Sequence, residues 1–320
     1  MRVIRDLADA QIERPAYITV GVFDGVHRGH QQLVSSMVES AHCNAASAVA
    51  YTFVPHPSVV LGRPPIPLLT TVAERADLLE QLGLGYLVVP PFTAATAQMS
   101  AYDFTNMLIQ KLGMVELWAG PDFGLGRGRQ GTVPFLQQLG EEMGFTVHVV
   151  AKLVCGGGRV SSSRIRTALT EGDLLHATEC LGRPYRLTGT VDYRQAQPRG
   201  RAGPGWHSVV IPNERLIPAD GVYACEVHTS ETQRTTGVTY ITNRGAQTPG
   251  ISSLRLALSP RATLSSEIHT VYIDLVTPMR STDRRSSDGL RPDTVAQDIA
   301  EAIHRVSQLR ASRQIGRATD

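Results

Sequence analysis

The sequence has few cysteines, no long apolar run and no large excess of either charge. Its four cysteines lie far apart and form no Cys-x-x-Cys pair, so free thiols in a reducing cytoplasm are favoured over disulfides or a zinc site. No apolar stretch reaches the roughly 18 residues of a membrane span, and the polar segment 1–15 does not have the form of a signal peptide. A net charge of +2 is too small to favour nucleic acid as the main partner. We therefore expect a cytoplasmic protein without a nucleic-acid or membrane partner.

The first half of the sequence alternates short apolar runs with helical patterns. Its length of 320 residues, with 42% hydrophobic and 19% charged residues, is sufficient for two domains with cores of their own. Continuous apolar strands between helices predict a parallel sheet covered on both faces. The expected strands are 18–22, 48–53, 85–89, 115–119 and 145–150. The expected helices are 30–42, 72–83, 102–112, 134–143, 164–171 and 173–181.

After Pro184 the pattern changes to short strands separated by Gly, Pro and Ser/Thr clusters. This pattern predicts a small antiparallel β-barrel that is closed by a C-terminal helix. The expected strands are 186–191, 222–227, 236–242, 254–258 and 270–275, and the expected helix is 293–309. We place the domains at 1–184 and 185–320 and expect residues 312–320 to be a frayed tail.

The segment 21–30, which reads GVFDGVHRGH, carries most of the functional information. It joins a predicted strand to a predicted helix, so backbone N–H groups and the positive end of a helix dipole meet there, as phosphate requires. Gly25 permits a tight turn and Gly29 a close approach to a ligand. His27 and His30 can donate hydrogen bonds to phosphoryl oxygens. Two surface histidines at a helix cap are the alternative, which this strand–turn–helix context disfavours.

A second segment, SSSRIR at 161–166, precedes another predicted helix. Its serine hydroxyls can cap that helix and bind phosphate, and Arg166 can form two parallel hydrogen bonds with phosphate oxygens. Taken alone, the segment would be interpreted as a plain helix cap with a solvated basic turn. Together with the histidine motif in the same domain, it favours phosphate binding.

Two further segments follow predicted strands and leave their roles open. The segment 120–129, GPDFGLGRGR, is typical either of a mobile loop over an anionic, ring-bearing ligand or of a long exposed hairpin. The segment 53–57, FVPHP, either fixes His56 at a strand end for function or is a capped turn with an incidental histidine. The carboxyl ends of parallel strands share one edge of a sheet, so these loops and segment 21–30 could converge on one crevice.

These motifs resemble those of the prokaryotic bifunctional riboflavin kinase/FMN adenylyltransferase (FAD synthetase) family. The resemblance covers nearly all of residues 1–190 and is carried by five ordered motifs: Gly-x-Phe-Asp-Gly-x-His-x-Gly-His at 21–30, Pro-His-Pro at 55–57, Gly-x-Asp-Phe-x-x-Gly at 120–126, Ser-Ser-Ser-x-Ile-Arg at 161–166 and Leu-Gly-Arg-Pro-Tyr at 181–185. It implies a Rossmann-like nucleotidyltransferase domain that joins FMN to the AMP moiety of ATP, giving FAD and pyrophosphate. The Mg²⁺ would be carried by ATP, with no metal ligand from the protein. One departure is Val54, where the family usually has an acidic residue.

The resemblance also implies a role for each motif residue. His27, His30, His56 and Asp122 would be catalytic: the first two hold the ATP phosphates, and the other two orient the reacting groups. The implied ATP-binding residues are Gly21, Phe23, Asp24, Gly25, Gly29, Ser162, Ser163 and Arg166, of which the last three would bind the leaving pyrophosphate. The implied FMN-binding residues are Phe123, which would lie against a ring, and Arg127 and Arg129, which would offset the phosphate charge.

The second half retains only part of the family's riboflavin kinase pattern. The expected Gly-x-Pro-Thr-Ala-Asn, whose Thr and Asn bind Mg²⁺ and nucleotide in the family, is replaced by the different sequence at 203–212. Glu267 matches the letters of the catalytic base, but the alignment of the following strand places that base near 254–256, where no acid stands. We expect a barrel that retained its fold and lost kinase activity, and that serves in flavin binding or as an interaction surface.

Three other interpretations remain. The chain could be fully bifunctional with an unusual metal site, or it could transfer a nucleotidyl group to another phosphate acceptor, as a cytidylyltransferase does. The segment around Asp122 and Phe123 and the predicted barrel argue against the second of these. The chain could also be a catalytically silent, flavin-binding or regulatory relative, which the intact histidine and serine motifs disfavour. The sequence gives no oligomeric state.

Overall fold

The computed structural model describes residues 1–191, 206–229, 234–242, 251–259, 269–280 and 292–317. The chain divides into two compact units, Met1–Ser162 and Ser163–Asp320. This division falls at the start of the first helix after the sheet, whereas the boundary after residue 184 stays a prediction. Among the described residues, no helix is both long and apolar enough to cross a bilayer.

The first unit is built mainly of strands and helices that alternate along the chain. Its elements are β1 (Arg2–Ile4), β2 (Ala16–Val20), α1 (Arg28–Cys43), β3 (Ser47–Tyr51), α2 (Pro57–Val60), α3 (Val72–Glu80), β4 (Tyr86–Val88), α4 (Ala94–Gln98), α5 (Ala101–Leu112), β5 (Met114–Ala119), β6 (Gly124–Leu125), β7 (Gly131–Thr132), α6 (Val133–Met143), β8 (Thr146–Val149), β9 (Val154–Cys155) and β10 (Gly158–Arg159). All five strands predicted for this half are confirmed, with ends within three residues.

Six strands form one parallel sheet in the order β1-β4-β3-β2-β5-β8. The predicted parallel sheet is therefore confirmed. The chain starts its main run at β2, moves outward through β3 and β4, and then returns to the other side of β2 for β5 and β8. The strand order thus reverses between β2 and β5, which is where ligands of such sheets bind. β1 was not predicted; it is three residues long and pairs with β4 at the sheet edge.

Each face of this sheet is covered by helices, because neighbouring side chains of a strand point to opposite faces. On one face Ile18 packs with Leu108 of α5 and Leu136 of α6. On the other face Tyr17 packs with Met37 of α1 and Leu79 of α3. The continuous apolar strands of the sequence are thus explained by burial on both sides.

The second unit contains the predicted antiparallel barrel. Its elements are α7 (Ser162–Glu171), which begins at the last residue of the first unit, α8 (Leu174–Leu181), β11 (Tyr185–Val191), β12 (Trp206–Pro212), β13 (Gly221–His228), β14 (Thr235–Ile241), β15 (Ile251–Leu258), β16 (His269–Arg280) and α9 (Pro292–Arg317). The strands close in the order β11-β12-β15-β14-β13-β16. β12 was not predicted; it pairs with β11 and β15, which lie elsewhere along the chain.

Helix α9 covers one side of the barrel. Val295, Ile299, Ala302 and Val306 recur at helical spacing and pack in one cluster with barrel residues such as Val238. The helix continues to Arg317, so the frayed tail expected from residue 312 is wrong up to that position. The C-terminal helix itself is confirmed.

Candidate functional site

Three of the predicted functional segments follow neighbouring strands of the sheet. Residues 21–27 follow β2, residues 52–56 follow β3 and residues 120–122 follow β5. Because these three strands are adjacent and parallel, the segments leave the same edge of the sheet, as predicted. The first and the third flank the reversal in strand order, the preferred ligand position in this architecture.

The loop between β2 and α1 has an unusual backbone. Phe23, Gly25 and Val26 have positive φ angles of 52°, 83° and 37°. Glycine adopts such angles readily, as predicted for Gly25. A phenylalanine and a β-branched valine do not, and each such residue costs about 1–3 kcal/mol, so it persists only where the surroundings hold it there. Both side chains are buried, so core packing holds this loop in a conformation that the chain alone would avoid.

Asp24 is the buried anchor of this loop. Its carboxylate accepts hydrogen bonds from the backbone N–H groups of Leu69 (2.9 Å) and Thr70 (3.0 Å) and from the Thr70 hydroxyl (3.2 Å). The Thr70 hydroxyl also accepts from the Gly25 N–H at 2.9 Å. The Asp24 side chain, which the resemblance assigned to ATP binding, is thus engaged in fastening the loop to the segment before α3.

His27 is the N-cap of α1. Its Nδ1 accepts a hydrogen bond from the backbone N–H of His30 at 3.3 Å. A neutral imidazole whose Nδ1 accepts must carry its proton on Nε2, so the cap determines the tautomer. His27 therefore presents a donor at the amino end of a helix, where anions are favoured.

His30 lies directly against His27. The two rings stack with centroids 3.6 Å apart, and the Phe23 ring meets His30 edge-on at 5.2 Å. His30 Nδ1 is buried and has no hydrogen-bond partner among the described residues. Burial, the neighbouring His27 and the positive charge of Arg75, in that order, lower the pKa of His30 well below 6.5. His30 is therefore neutral near pH 7 and can donate a hydrogen bond without carrying a full charge.

Arg75 and Thr52 were missed by sequence reasoning, although they lie beneath the loop. Arg75, on α3, is 2% exposed and donates through Nη1 to the Thr52 hydroxyl at 3.2 Å. That hydroxyl donates to the Val22 carbonyl oxygen at 3.1 Å. A signal was present, since Arg75 stands on the helix face that also carries Leu79 four residues later. A basic residue at an apolar-face position is unusual and could have been noticed.

His56 repeats at the end of β3 what His27 does at the end of β2. It is the N-cap of α2, and its Nδ1 lies 3.2 Å from the Ser58 N–H and 2.7 Å from the Ser58 hydroxyl. The capped turn, one of the two interpretations of this segment, is therefore observed. Its chemical role stays a prediction.

Asp122 is exposed and lies beside three cations, of which the sequence interpretation assigned only Arg129. Its carboxylate forms ion pairs with Lys152 at 2.5 Å and with Arg159. The hydrogen bond from Lys152 is the largest cause that lowers the pKa of Asp122. Arg129 donates to the Asp122 carbonyl oxygen at 2.6 Å. Two cations thus pair with one carboxylate and a third binds the backbone of the same residue, which leaves an excess of positive charge at the end of β5.

The remaining residues of this loop lie on a hairpin of β6 and β7. Arg127 and Arg129 are exposed on the 3-10 turn between the two strands. Phe123 is partly buried and packs at the margin of the core around Ile18. The hairpin geometry agrees with one of the two interpretations of this segment, whereas contact with a ligand stays a prediction.

The serine motif divides between the two units. The Ser162 hydroxyl donates to the Asp24 carbonyl oxygen at 2.8 Å, so it joins the histidine loop. Ser163 and Arg166 belong to α7 in the second unit. Glu267, the candidate kinase base, and residues 192–205, which include the start of the segment 203–212 that replaces the kinase motif, lie outside the described residues. Within the described ranges, no group of three or more His, Cys, Asp or Glu side chains is placed to hold a metal ion.

Comparisons with known proteins identify similar sequences over most of the chain. The sequence model of the family described as FAD synthetase matches residues 9–164. A bifunctional riboflavin kinase/FMN adenylyltransferase from Bacillus subtilis is 32% identical over 301 residues, covering 92% of this chain and 93% of that protein. The Escherichia coli protein of the same name is 32% identical over 230 residues, covering 71% of this chain and 72% of its own.

A solved structure resembles the whole chain. It is a crystal structure described as a macrolide-efflux protein from Streptococcus pneumoniae, with a TM-score of 0.75, 23% identity, and coverage of 99% of this chain and 98% of the other. At this identity the likeness shows the fold alone. It supports the predicted arrangement of a Rossmann-like domain and a barrel.

Proposed function

This chain belongs to the FAD synthetase family, whose relatives named above are bifunctional riboflavin kinase/FMN adenylyltransferases, and we infer that it transfers the adenylyl group of ATP to FMN, giving FAD and pyrophosphate. The observation that carries this inference is the stacked histidine pair at the amino end of α1, beside the reversal in strand order. A polyphosphate ligand is favoured by three features together: the amino end of a helix, the oriented imidazole donors and the reversal in strand order.

The reaction needs positioning and charge stabilisation more than covalent chemistry. A phosphate oxygen of FMN attacks the α-phosphorus of ATP in line, the bond from that phosphorus to the bridging oxygen breaks, and pyrophosphate leaves. We assign to His27 and His30 the binding of the ATP phosphates. The cap bond of His27 supports this role, since it fixes the donor before the substrate arrives, and preorganised donors stabilise developing charge best.

The other predicted site residues are proposed either to hold the histidine loop in shape or to contact the substrates from neighbouring segments. Asp24 and Ser162 hold the loop by their own hydrogen bonds, so their contribution to ATP binding would be the loop's shape, together with the backbone of Gly21, Gly25 and Gly29. His56 is proposed to orient the reacting groups from the end of β3. Ser163 and Arg166 are proposed to bind pyrophosphate on the resemblance alone.

The cations around Asp122 support a site for the FMN phosphate. Lys152 and Arg159 pair with the Asp122 carboxylate, and Arg129 donates to the Asp122 backbone carbonyl oxygen. A dianionic phosphate would therefore meet net positive charge there. Asp122 would hold these side chains in place until FMN binds. Arg127 lies on the same hairpin as Arg129. Phe123 is proposed to contact a flavin ring from its position at the margin of the core.

Mg²⁺ is proposed to enter as the magnesium complex of the substrate ATP. The Asp24 carboxylate is the buried acid of the histidine loop, and it already accepts from two N–H groups and a hydroxyl. These donors suit an anchored carboxylate better than a metal ligand. The ion would accordingly be held by phosphate oxygens and would neutralise charge on them.

For the second unit we propose a barrel without riboflavin kinase activity. The support comes from the sequence at 203–212, which lacks the threonine and asparagine of the kinase motif. The competing candidate is a fully bifunctional enzyme, favoured by the name of the Bacillus subtilis relative and by its coverage of 92% of this chain. Glu267 would then be a candidate base.

One assay with two substrates separates these candidates. Purified protein is supplied with Mg-ATP and either FMN or riboflavin, and the products are separated by chromatography while pyrophosphate is measured. FAD and pyrophosphate from FMN, with no FMN from riboflavin, is the expected result. FMN formed from riboflavin would overturn the loss of kinase activity, and absence of FAD from FMN would overturn the adenylyl transfer.

A cytoplasmic location is part of the proposal. It rests on four cysteines that lie far apart in the sequence and form no Cys-x-x-Cys pair, a pattern that suits a reducing compartment. The proposed partners are the small molecules ATP and FMN, with riboflavin as a further candidate, and no nucleic acid.

A further inference from the structure

Arg75 is among the largest side chains that the chain buries, with 2% of its surface exposed. Arginine is rarely buried to this extent. Removing a charged group from water costs several kcal/mol unless hydrogen bonds and charges compensate it. A leucine or methionine would cover this side of α3 at a lower cost in free energy. The burial of a guanidinium therefore indicates that its hydrogen bonds have a specific role.

The guanidinium is linked to the histidine loop through one hydroxyl. Arg75 Nη1 donates to Thr52 Oγ1 at 3.2 Å, and Thr52 Oγ1 donates to the Val22 carbonyl oxygen at 3.1 Å. Thr52 is fully buried. A threonine hydroxyl has one proton and two lone pairs. The arginine fills a lone pair, and this directs the proton toward Val22, one residue before the strained Phe23.

The segment that carries Arg75 is itself rigid at its start. Thr71 and Glu74 form a capping box: the Glu74 N–H donates to the Thr71 hydroxyl at 3.1 Å, and the Thr71 N–H donates to the Glu74 carboxylate at 2.8 Å. Leu69 and Thr70, immediately before it, hold Asp24. The loop is therefore fastened at Val22 and at Asp24 to a single well-capped helix start.

We propose that Arg75 is a positioning residue for adenylyl transfer, which acts through Thr52 to hold the β2–α1 loop, and with it His27 and His30, in the geometry that binds the ATP phosphates. The reaction used to test this inference rests on the proposed function. The electrostatic effect of Arg75 on the titration of His30 can be measured in the free protein, without substrate.

The charge of Arg75 gives this role a signature that a structural role in the core would not have. Among the causes that lower the pKa of His30, the charge of Arg75 follows burial and His27. Lysine in place of arginine retains the charge and loses the planar set of donors. Methionine removes both, with little change in volume. The two substitutions therefore separate electrostatics from geometry.

The experiment compares Arg75→Lys, Arg75→Met and Thr52→Val, with Arg5→Met as the control for loss of an exposed arginine in the same unit. Far-UV circular dichroism checks folding. Steady-state kinetics with Mg-ATP and FMN gives kcat and KM over a range of pH. NMR of protein with ¹³C-labelled histidine follows the titration of His30 without substrate.

We expect Thr52→Val to lower kcat by roughly tenfold to a hundredfold, the scale of a small misplacement of reacting groups, and to leave the His30 titration near the parental one. Arg75→Met should lower kcat similarly and raise the titration midpoint of His30. Arg75→Lys should lower kcat with a parental midpoint. Arg5→Met should match the parent throughout.

Parental kcat and KM in a folded Arg75→Met or in Thr52→Val would overturn the proposal. If Arg75→Met does not fold, Thr52→Val decides the question, because it replaces only a hydroxyl by a methyl group of similar size. If the parent itself makes no FAD, the proposed function fails. An unshifted His30 midpoint in Arg75→Met would then also refute the electrostatic link between Arg75 and His30, and a raised midpoint would support it.

Discussion

The imidazole rings of His27 and His30 lie 3.6 Å apart with their planes 13° from parallel. At that separation two imidazolium ions would repel each other, and the partly desolvated site screens the repulsion poorly. Repulsion by His27 therefore adds to burial in favouring the neutral form of His30 in the free protein, which lowers the pKa of His30. A bound polyphosphate would reverse this balance, because its negative charge favours protonation.

The first prediction concerns turnover. His27→Ala removes the cap of α1 together with a proposed phosphate donor, and kcat for FAD formation should fall by about a hundredfold or more, as for loss of one preorganised donor. His42→Ala, an exposed histidine in the last turn of the same helix, should retain the parental rate. Parental turnover of the His27 variant would remove this residue from the mechanism.

The second prediction concerns stability at acidic pH. The pKa of His30 is well below 6.5 in the folded protein, chiefly through burial, whereas the unfolded chain takes up a proton there near 6.5. The unfolded state thus binds more protons below this pH, so the free energy of unfolding falls as the pH drops through 6.5. His30→Gln lacks this contribution.

Calorimetric melting temperatures of the parent and of His30→Gln, measured between about pH 7.5 and about pH 5.5, check this. The decrease on acidification should be smaller in the variant. His228→Gln provides a second test. Burial also lowers the pKa of His228, so this substitution should likewise make the decrease in melting temperature on acidification smaller. An equal decrease in the parent and in His30→Gln would rule out the expected titration.

The third prediction concerns the anchor of the loop. Asp24→Asn removes the charge and replaces one acceptor oxygen by an N–H₂ group, which faces the Leu69 N–H in either orientation of the amide. Hydrogen bonds to a charged group contribute about 1.5–3 kcal/mol, and we expect a loss of unfolding free energy of this size together with reduced FAD formation. Asp77→Asn, on the exposed side of α3, is the control, and urea denaturation measures both. Equal stability of the two variants would contradict the anchoring role.

The fourth prediction concerns the barrel. Asp298 of α9 accepts from the Tyr240 hydroxyl and from Arg280 Nη2 at 2.8 Å. Asp298→Ala would leave both groups without this acceptor and should cost about 2 kcal/mol. Glu301→Ala on the same helix breaks an exposed pair with Arg305 and should cost no more than about 0.5 kcal/mol. Chemical denaturation distinguishes the two, and a cost for Asp298→Ala no larger than its control would show that the network is not stabilising.

Most regular elements could be predicted because their signals are local. Strand β2 was evident from an apolar run, and α1 from the glycine turn before it and its apolar spacing. β12 was missed because a barrel strand is defined by partners far along the chain, here β11 and β15. β1 was missed because three residues carry too little pattern, and only pairing with β4 makes them a strand.

The sequence by itself determined the alternation of strands and helices and the place of the histidine motif between β2 and α1, since periodicity, glycine and capping residues act over a few positions. Only the tertiary structure decided that the Asp24 carboxylate binds the backbone at Leu69 and Thr70, and that Lys152 and Arg159 reach Asp122. It likewise buried His30 and brought His27 and the charge of Arg75 near it, and these three effects, burial first, lower the pKa of that imidazole. Burial and charge depend on residues distant along the chain, which no local pattern encodes.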